Sequence, residues 1–533
     1  MNGVNQNIDA LADLRPYATT VDRMFVRAGD RWPDRNFVVS DGRSLTYADM
    51  AVQVDQAARG LMTLGVQPGD RVALWMSNIW EWIVVQFAVT RVGAVLTPIN
   101  TRLRIDDLGH ILGDSGATVL LTQGRSAEFS YVDIAAEILT DPARTALKHI
   151  VVARPTDNMR APFLAWDDFM AADERSIAAA QPCRDATELA YILYTSGTTS
   201  LPKGVMLSHA CLNNAINFAR CFGEGDTTLL IYPLFAITGC HNTVLKTLLI
   251  GGTVVLQERY DPGEALALIE THRCTVIGCL ISVLEDIASL PEFAPERVRP
   301  LRIANVFPRR PEHLALLNRF GLETATTGYG MTETCGPVCF VADLDPTSML
   351  TEGLPWPGDE VRLITEDSRD AEPDEDGAII VRSPHNMIGY FRNPDATAKT
   401  IDSQGWLHTG DVGRRDRHGR ITWVGRWNDI IKSSGFNFAA QEVEAYLGKL
   451  ATIEEVSVVG VLDRGRGEVG AAFVVAAAGA SLSLDAIRQH CHGRIASYKI
   501  PGHLFLREAL PKTASGKVRK VELKAWFLEQ QTC

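Results

Sequence analysis

The sequence predicts an α/β protein with an α+β appendage: a large N-terminal domain of parallel-rich sheets covered by helices, with a smaller β-rich subdomain, then a small C-terminal α+β domain. Three observations predict it. Helical and buried-strand patterns alternate from about residue 45 to 300. Apolar and polar residues then alternate around acidic turns from 357 to 425. Near residue 426 the pattern shifts again, to a compact mixture of helix and strand. Buried strands separated by helices imply parallel sheets covered on both faces, because the crossovers lie on those faces. A chain of 533 residues has room for two to four domains at about 100–200 residues each.

In chain order, "SLTYADMAVQVDQAARGLMTLG" has helical apolar spacing, with Ser44 or Thr46 as candidate cap and Gly65 as stop. "DRVALWM" reads as a buried strand, "EWIVVQFAVTRVG" as a helix and "AVLTPIN" as a strand. The stretch Ile79 to Pro98 is the most apolar, but Glu81, Gln86 and Arg91 interrupt it. A membrane span needs about 20 mainly apolar residues, so a buried core element is expected instead. "ATVLLT" and "TVVLQ" are further short strands, and "ELAYILYT" is a buried strand running into "SGTTSLPKG". "GDEVRLITEDSRDAEPDEDGAIIVRS" alternates as antiparallel strands do. "QEVEAYLGKL" and "LDAIRQHCHGRI" read as helices, "VSVVGV" and "AAFVVAA" as strands, in a module of about 100 residues, enough for its own core. The expected domains are 1–426 and 427–533.

Composition narrows the function. Apolar residues at 46% and charged residues at 22% fit a globular protein. A net charge of −12 argues against nucleic acid or a membrane surface as partner, while leaving room for a local basic patch on an anionic ligand. The start, "MNGVNQNIDALADL", lacks a basic region followed by an apolar one, so no signal peptide is expected. The ten cysteines are scattered. Neither Cys335 with Cys339 nor the "HCH" at His490–His492 has a zinc-ligand spacing, which leaves free thiols of a reducing cytoplasm.

The chemistry concentrates in loops. In "YTSGTTSLPKGV", Ser196, Thr198, Thr199 and Ser200 offer hydroxyl donors. Gly197 and Gly204 allow close backbone approach, and Lys203 adds a point charge, so the loop can hold phosphate. A Walker loop would place glycine before the lysine and Ser or Thr after it. Pro202 and Gly204 stand there instead, so that reading fails. "TGYGMTET" sets Tyr329 between two glycines, with Glu333 four residues on. An aromatic face can stack on a nucleobase, and a carboxylate can hold Mg²⁺ beside phosphates. "LHTGD" offers Asp411 to ribose hydroxyls, "GRWNDIIKSSG" offers Arg426 and Lys432, and "LPKTASGKVRK" offers Lys517 in a basic turn.

Together these five motifs, in this order and at this spacing over nearly the whole chain, resemble the acyl- and aryl-CoA synthetases of the adenylate-forming superfamily. That superfamily also holds peptide-synthetase adenylation domains and firefly luciferase. The resemblance implies an AMP-forming acid–thiol ligase: a carboxylate attacks the ATP α-phosphate, pyrophosphate leaves, and a thiol then expels AMP. It implies ATP, Mg²⁺ and coenzyme A as cofactors and a small-molecule carboxylic acid as partner. By resemblance, Thr195, Ser196, Gly197, Thr198, Thr199 and Lys203 wrap the β- and γ-phosphates. Thr332 meets the α-phosphate, Glu333 ligates Mg²⁺, Tyr329 and Gly330 lie at adenine, and Asp411 holds the ribose with Arg426 assisting. Lys517 matches the catalytic lysine. The resemblance makes the C-terminal domain mobile, hinged at Asn428 where relatives often carry Asp or Lys, and puts Gly435 at the pantetheine tunnel. A homodimer rests on the same analogy alone.

Three departures border the expected acyl pocket of Phe235, Ala236, Ile237, Val306, Phe307 and Gly328. "YPLFAITGCHN" has Ala236 where relatives often have histidine. "NVFP" replaces a Gly-Gly-Ala-Pro, and Leu280, Ile281 and Ser282 replace a Val-Pro-Thr. They point to an unusual, bulky, apolar acid: polycyclic, terpenoid, aromatic, branched or fatty. No acidic residue stands ready for an amino group, which argues against an amino-acid-activating domain. Two rivals remain. A separate acyl carrier protein could take the acyl group in place of CoA, since the chain ends soon after Lys517 with no carrier domain fused. A silent binding or regulatory homologue would fit Ala236, Asn428 and the lost glycines, but not the intact Lys203, Glu333, Asp411, Arg426 and Lys517.

Overall fold

The computed structural model describes residues 19–532 except 104, 127–128, 140–144, 156–161, 173–182, 184, 196–201, 308, 427–428, 434–435, 464–466, 493–494, 496 and 513–515. Two compact units emerge. One is drawn from Met1–Thr195, Pro202–Val361 and Val381–Leu407, the other chiefly from Arg362–Ile380 and His408–Cys533.

The first unit holds two large sheets. One has the strand order Gly389–Tyr390, Lys203–Ser208, Leu189–Thr195, Val95–Pro98, Arg71–Trp75, Val119–Gln123, His149–Ala153, Phe163–Ala165. The other begins Leu354–Pro355, Gly336–Asp343, Thr324–Met331, Ile303–Phe307 and Val276–Leu280, then continues Thr227–Leu230, Thr253–Leu256, Asn36–Ser40 and Arg43–Thr46. Their central strands run parallel, as the buried apolar runs predict. Antiparallel pairs close three of the four edges, and the parallel pair of His149–Ala153 with Phe163–Ala165 closes the fourth. The first helix of the alternating region is Tyr47–Thr63. Thr46, not Ser44, caps it: its hydroxyl accepts from the Asp49 N–H while the Asp49 carboxylate takes the Thr46 N–H. Gly65, at φ +82°, follows the end of the helix.

The interrupted apolar stretch is indeed core. Helix Trp80–Arg91 is buried nearly all round, and each interrupting polar residue has a partner. Glu81 accepts from Arg154 at 3.1 Å, Gln86 donates to the Tyr191 hydroxyl at 2.8 Å, and Arg91 pairs with Asp22 at 3.2 Å. Such partners offset much of the cost of burying polar groups. Among the described residues no helix is long and apolar enough to cross a membrane. The nine described cysteines are all free.

The second unit carries most of a four-stranded sheet, ordered Glu360–Ile364, Asp376–Arg382, Leu407–Arg415, Ile421–Arg426. It also carries a five-stranded sheet centred on the antiparallel pair Ile453–Asp463 and Gly467–Ala476. That pair is buried on both faces. Val458, Ala472 and Val474 pack with Phe438, Val443 and Ile487, while Val459, Val461 and Phe473 pack with Leu523 and Phe527 of helix Lys520–Thr532. Alternation along a strand makes this two-sided core possible.

Candidate active site

In the first unit, Leu189–Thr195 pairs antiparallel with Lys203–Ser208, and Thr195 stands opposite Lys203. The hairpin therefore pins both ends of the candidate phosphate loop. Ser196, Gly197, Thr198 and Thr199 themselves lie outside the described residues. The stem is braced from outside: the Tyr194 hydroxyl donates to Asp114 at 2.6 Å, and His110 Nε2 bonds the Pro202 carbonyl at 3.2 Å. Burial, then the Asp114 bond, pushes the Tyr194 phenol far up, so it stays a neutral donor. A Cβ on Gly204 would come 2.7 Å from the Ile192 side chain, too close for any other residue without a shift.

Glu333 sits in the short turn Thr332–Thr334 between the paired strands Thr324–Met331 and Gly336–Asp343. The Thr334 hydroxyl bonds the Gly336 carbonyl at 2.8 Å and tightens that turn. Gly330 is required there, since a Cβ would lie 2.1 Å from the Gly336 oxygen. This hairpin brings Gly328, Tyr329, Gly330, Thr332 and Glu333 together, with Tyr329 and Glu333 both buried. The Glu333 carboxylate accepts a hydrogen bond from the Tyr390 hydroxyl at 2.9 Å, and its carbonyl accepts from the Met387 N–H at 2.7 Å. Lys203 Nζ lies over the Tyr390 ring, 5.1 Å from its centre. One tyrosine thus links the loop lysine to the carboxylate. A carboxylate steered by a phenol beside a lysine suits Mg²⁺ with polyphosphate: hard oxygen for the metal, cation for the phosphates. Tyr390 was missed by sequence reading, and "MIGYFRNP" gives no local sign of its partner.

The expected acyl wall is also in this unit. Phe235, Ala236 and Ile237 are each partly exposed, and Ala236 precedes the helical turn Ile237–Gly239. Asn78 clamps the segment before them: its amide donates to the Tyr232 carbonyl at 3.1 Å and accepts from the Leu234 N–H at 2.8 Å. Val306 is 1% exposed and packs in the core with Ala304 and Leu317, whereas Phe307 is 43% exposed. Phe307 stands opposite Leu280 in register, and Leu280 is 51% exposed.

The second unit holds Asp411, Arg426 and Lys517. Asp411 and Arg426 face each other on neighbouring strands, and Arg426 Nε pairs with the Asp411 carboxylate at 3.0 Å. Arg426 also donates to the Thr409 carbonyl at 3.0 Å. Asp411 is 4% exposed while the Arg426 side chain is 48% exposed. Lys517 is exposed, next to Val518, which pairs with Lys512 across the turn. Asn428 and Gly435 lie outside the described residues.

A cleft of about 380 Å³ opens elsewhere in the first unit, lined by Asp41, Arg125, Glu258 and His272 among others. It contains none of these residues. Its carboxylates Asp41 and Glu258 are engaged by Arg154, so it is an ion-paired surface rather than the reacting centre.

Comparison with known proteins gives the family. Residues 25–391 match the family described as AMP-binding enzyme, and residues 442–517 match the AMP-binding enzyme C-terminal domain. A putative acyl-CoA synthetase of Bacillus subtilis is 31% identical, over 96% of this chain and 97% of its own length. A 3-[(3aS,4S,7aS)-7a-methyl-1,5-dioxo-octahydro-1H-inden-4-yl]propanoyl:CoA ligase of Mycobacterium tuberculosis is 33% identical, over 96% of this chain and 99% of its own length. Among solved structures, the o-succinylbenzoate coenzyme A synthetase of Bacillus subtilis in complex with ATP and magnesium superposes with a TM-score of 0.79. It is 26% identical, over 94% of this chain and 99% of that one.

Proposed function

The chain belongs to the AMP-binding enzyme family and is an AMP-forming acid–CoA ligase, and on that premise we propose that it activates a bulky, apolar, ring-bearing carboxylic acid. The acid's carboxylate attacks the α-phosphate of ATP, the bond to pyrophosphate breaks, and CoA sulfur then displaces AMP from the acyl carbon. The observation that carries the substrate reading is the exposed apolar pair Leu280 and Phe307, side by side at the ends of their strands. Exposed large apolar side chains in register mark a surface that an apolar ligand can cover. Ala236, with only a methyl side chain, leaves space at the expected acyl wall. The Mycobacterium relative is named for a fused-ring propanoate, which supports the same reading.

The residues take these parts. Thr195 to Thr199 and Lys203 bind the β- and γ-phosphates, and Thr332 the α-phosphate. Tyr329 and Gly330 receive adenine. Asp411 accepts from the ribose hydroxyls, steadied by Arg426. Glu333, oriented by Tyr390, would hold Mg²⁺, which when bound draws off the charge developing on the phosphates. Lys517 donates to the oxygens between carboxylate and α-phosphorus as negative charge builds there. The division at 426/427, with Asn428 as hinge and Gly435 at the CoA tunnel, completes the reading. Asn428→Pro should then block thioester formation and spare adenylation, and equal loss of both would end that part.

Mass spectrometry of products from ATP, Mg²⁺, CoA and a panel of fatty, aryl and fused-ring acids tests the reading. New acyl-CoA masses from the ring-bearing acids are expected. Turnover confined to short linear acids would refute the substrate class. Acyl-AMP without thioester would transfer the acceptor role to a carrier protein.

A further inference from the structure

The helical turn after Ala236 changes pitch: Ile237–Gly239 runs into a π-helical segment, Cys240–Leu245, before helix Lys246–Leu249. Such segments are rare and concentrate where a side chain must be re-aimed for function. Here the re-aimed pair is His241 and Asn242. The His241 ring is fully buried, with Nε2 3.0 Å from the Leu212 carbonyl and Nδ1 2.7 Å from the Asn242 side-chain amide oxygen. A carbonyl can only accept, so the Leu212 bond fixes a proton on Nε2. Burial pushes the ring's pKa down and favours the neutral form. In a neutral ring Nδ1 is an acceptor, and the amide meets it by turning over to donate N–H. One end of the Asn242 amide is then tied to the histidine and its oxygen points away.

Asn242 is partly exposed, and it joins both sides of the expected acyl pocket. Along the chain it follows Phe235 to Ile237. Across space its amide packs on Gly336, where a Cβ would lie 2.6 Å from the amide atom that faces His241. Gly336 pairs with Met331 on the hairpin that carries Gly328 to Gly330. Neighbouring hydroxyls are already committed: Tyr232 donates to the Cys279 carbonyl at 2.8 Å and Thr243 to the Thr238 carbonyl at 2.9 Å. Asn242 makes no bond other than that to His241 among the described residues.

We infer that Asn242, tethered by His241, is a specificity residue whose outward amide oxygen accepts a hydrogen bond from a hydroxyl or N–H group on the body of the acid. The inference rests on the adenylation reading above. A carboxylate has no proton to give, so the group read is not the reacting one. The preferred acid is therefore apolar in bulk with one donor group. A site built to bond a hydroxyl rejects the analogue that lacks it, because its own polar atom is left without a partner.

The test is initial rates of pyrophosphate release with matched acids: 4-hydroxycinnamate against cinnamate, and 6-hydroxy-2-naphthoate against 2-naphthoate. At least one hydroxylated member should exceed its partner roughly tenfold in kcat/KM, the size expected for one partly exposed hydrogen bond. Asn242→Leu should bring that ratio to about one while leaving the unsubstituted acid's rate in place. Asn242→Asp, which keeps an outward oxygen, should retain the preference. No preference in any pair, or equal loss with both members in Asn242→Leu, would overturn the inference and leave adenylation standing. Acid-dependent pyrophosphate from no acid at all would overturn the reading beneath it.

Discussion

Glu333 in the first unit and Asp411 in the second are both buried carboxylates, and they are held in opposite ways. Glu333 accepts from a neutral phenol, Tyr390, at 2.9 Å. Asp411 pairs with a guanidinium, Arg426, at 3.0 Å. A phenol steers a carboxylate without cancelling its charge, whereas a guanidinium neutralises it and leaves lone pairs for neutral donors. The first arrangement suits a divalent cation, and the second suits sugar hydroxyls. The difference teaches that the partner, more than burial, decides what a carboxylate can bind.

The largest effect is expected at the exposed lysine of the second unit, whose chemistry both carboxylates serve. Lys517→Ala should lower acid-dependent pyrophosphate release by about 10²–10³-fold, as loss of a transition-state donor does. An exposed side chain should leave the melting temperature unchanged, and a matching fall in thermal stability would make Lys517 a structural residue instead. Next comes the phenol. Tyr390→Phe removes the donor that orients Glu333, and the Mg²⁺ concentration for half-maximal adenylation should rise by about tenfold or more. An unchanged Mg²⁺ dependence would detach Glu333 from the metal. A smaller effect is expected at the other carboxylate. Asp411→Asn should raise the KM for ATP by roughly tenfold with kcat largely kept, the mark of binding shared by ground and transition states. A fall in kcat alone would put Asp411 in the chemistry.

The smallest effect sharpens the contrast through stability. Burial lowers His209 and His385 of the first unit to about 4. Unfolded histidine titrates near 6.5, so between about pH 6.5 and 4 the unfolded chain binds protons that the native one does not. Stability is therefore full above 6.5 and falls as pH drops through that window, by up to about 3 kcal/mol per ring. Lys246 behaves alike at higher pH: burial lowers it to about 7, against about 10.4 in the unfolded chain, so stability should climb from about pH 7 toward 10. Lys246→Met should flatten that climb in melting curves. A slope unchanged by the substitution would assign it to other groups.

Much of this was legible in the sequence where the physics is local. Period and length gave helix Tyr47–Thr63 and the buried strands, and narrowed its cap to Ser44 or Thr46; the reciprocal bonds with Asp49 then select Thr46. The strand that leads into the phosphate loop was legible, whereas the returning strand Lys203–Ser208 that makes it a hairpin was not. What stayed hidden depends on register and distance. Tyr390 meets Glu333 across 57 residues, and Asn78 holds Tyr232 across 154. Val306 and Phe307 are adjacent in the chain, yet the sheet buries one against Leu317 and exposes the other. No apolar count separates them. The π-helical pitch at Cys240–Leu245 is equally silent, because one extra residue in a turn leaves the composition untouched.

The most direct test of the central claim is to follow oxygen from an ¹⁸O-labelled carboxylate of a turned-over acid in the presence of ATP, Mg²⁺ and CoA. Attack of the carboxylate on the α-phosphate predicts AMP carrying one ¹⁸O and an acyl-CoA that retains the other. Label in inorganic phosphate, with ADP as the nucleotide product, would contradict it.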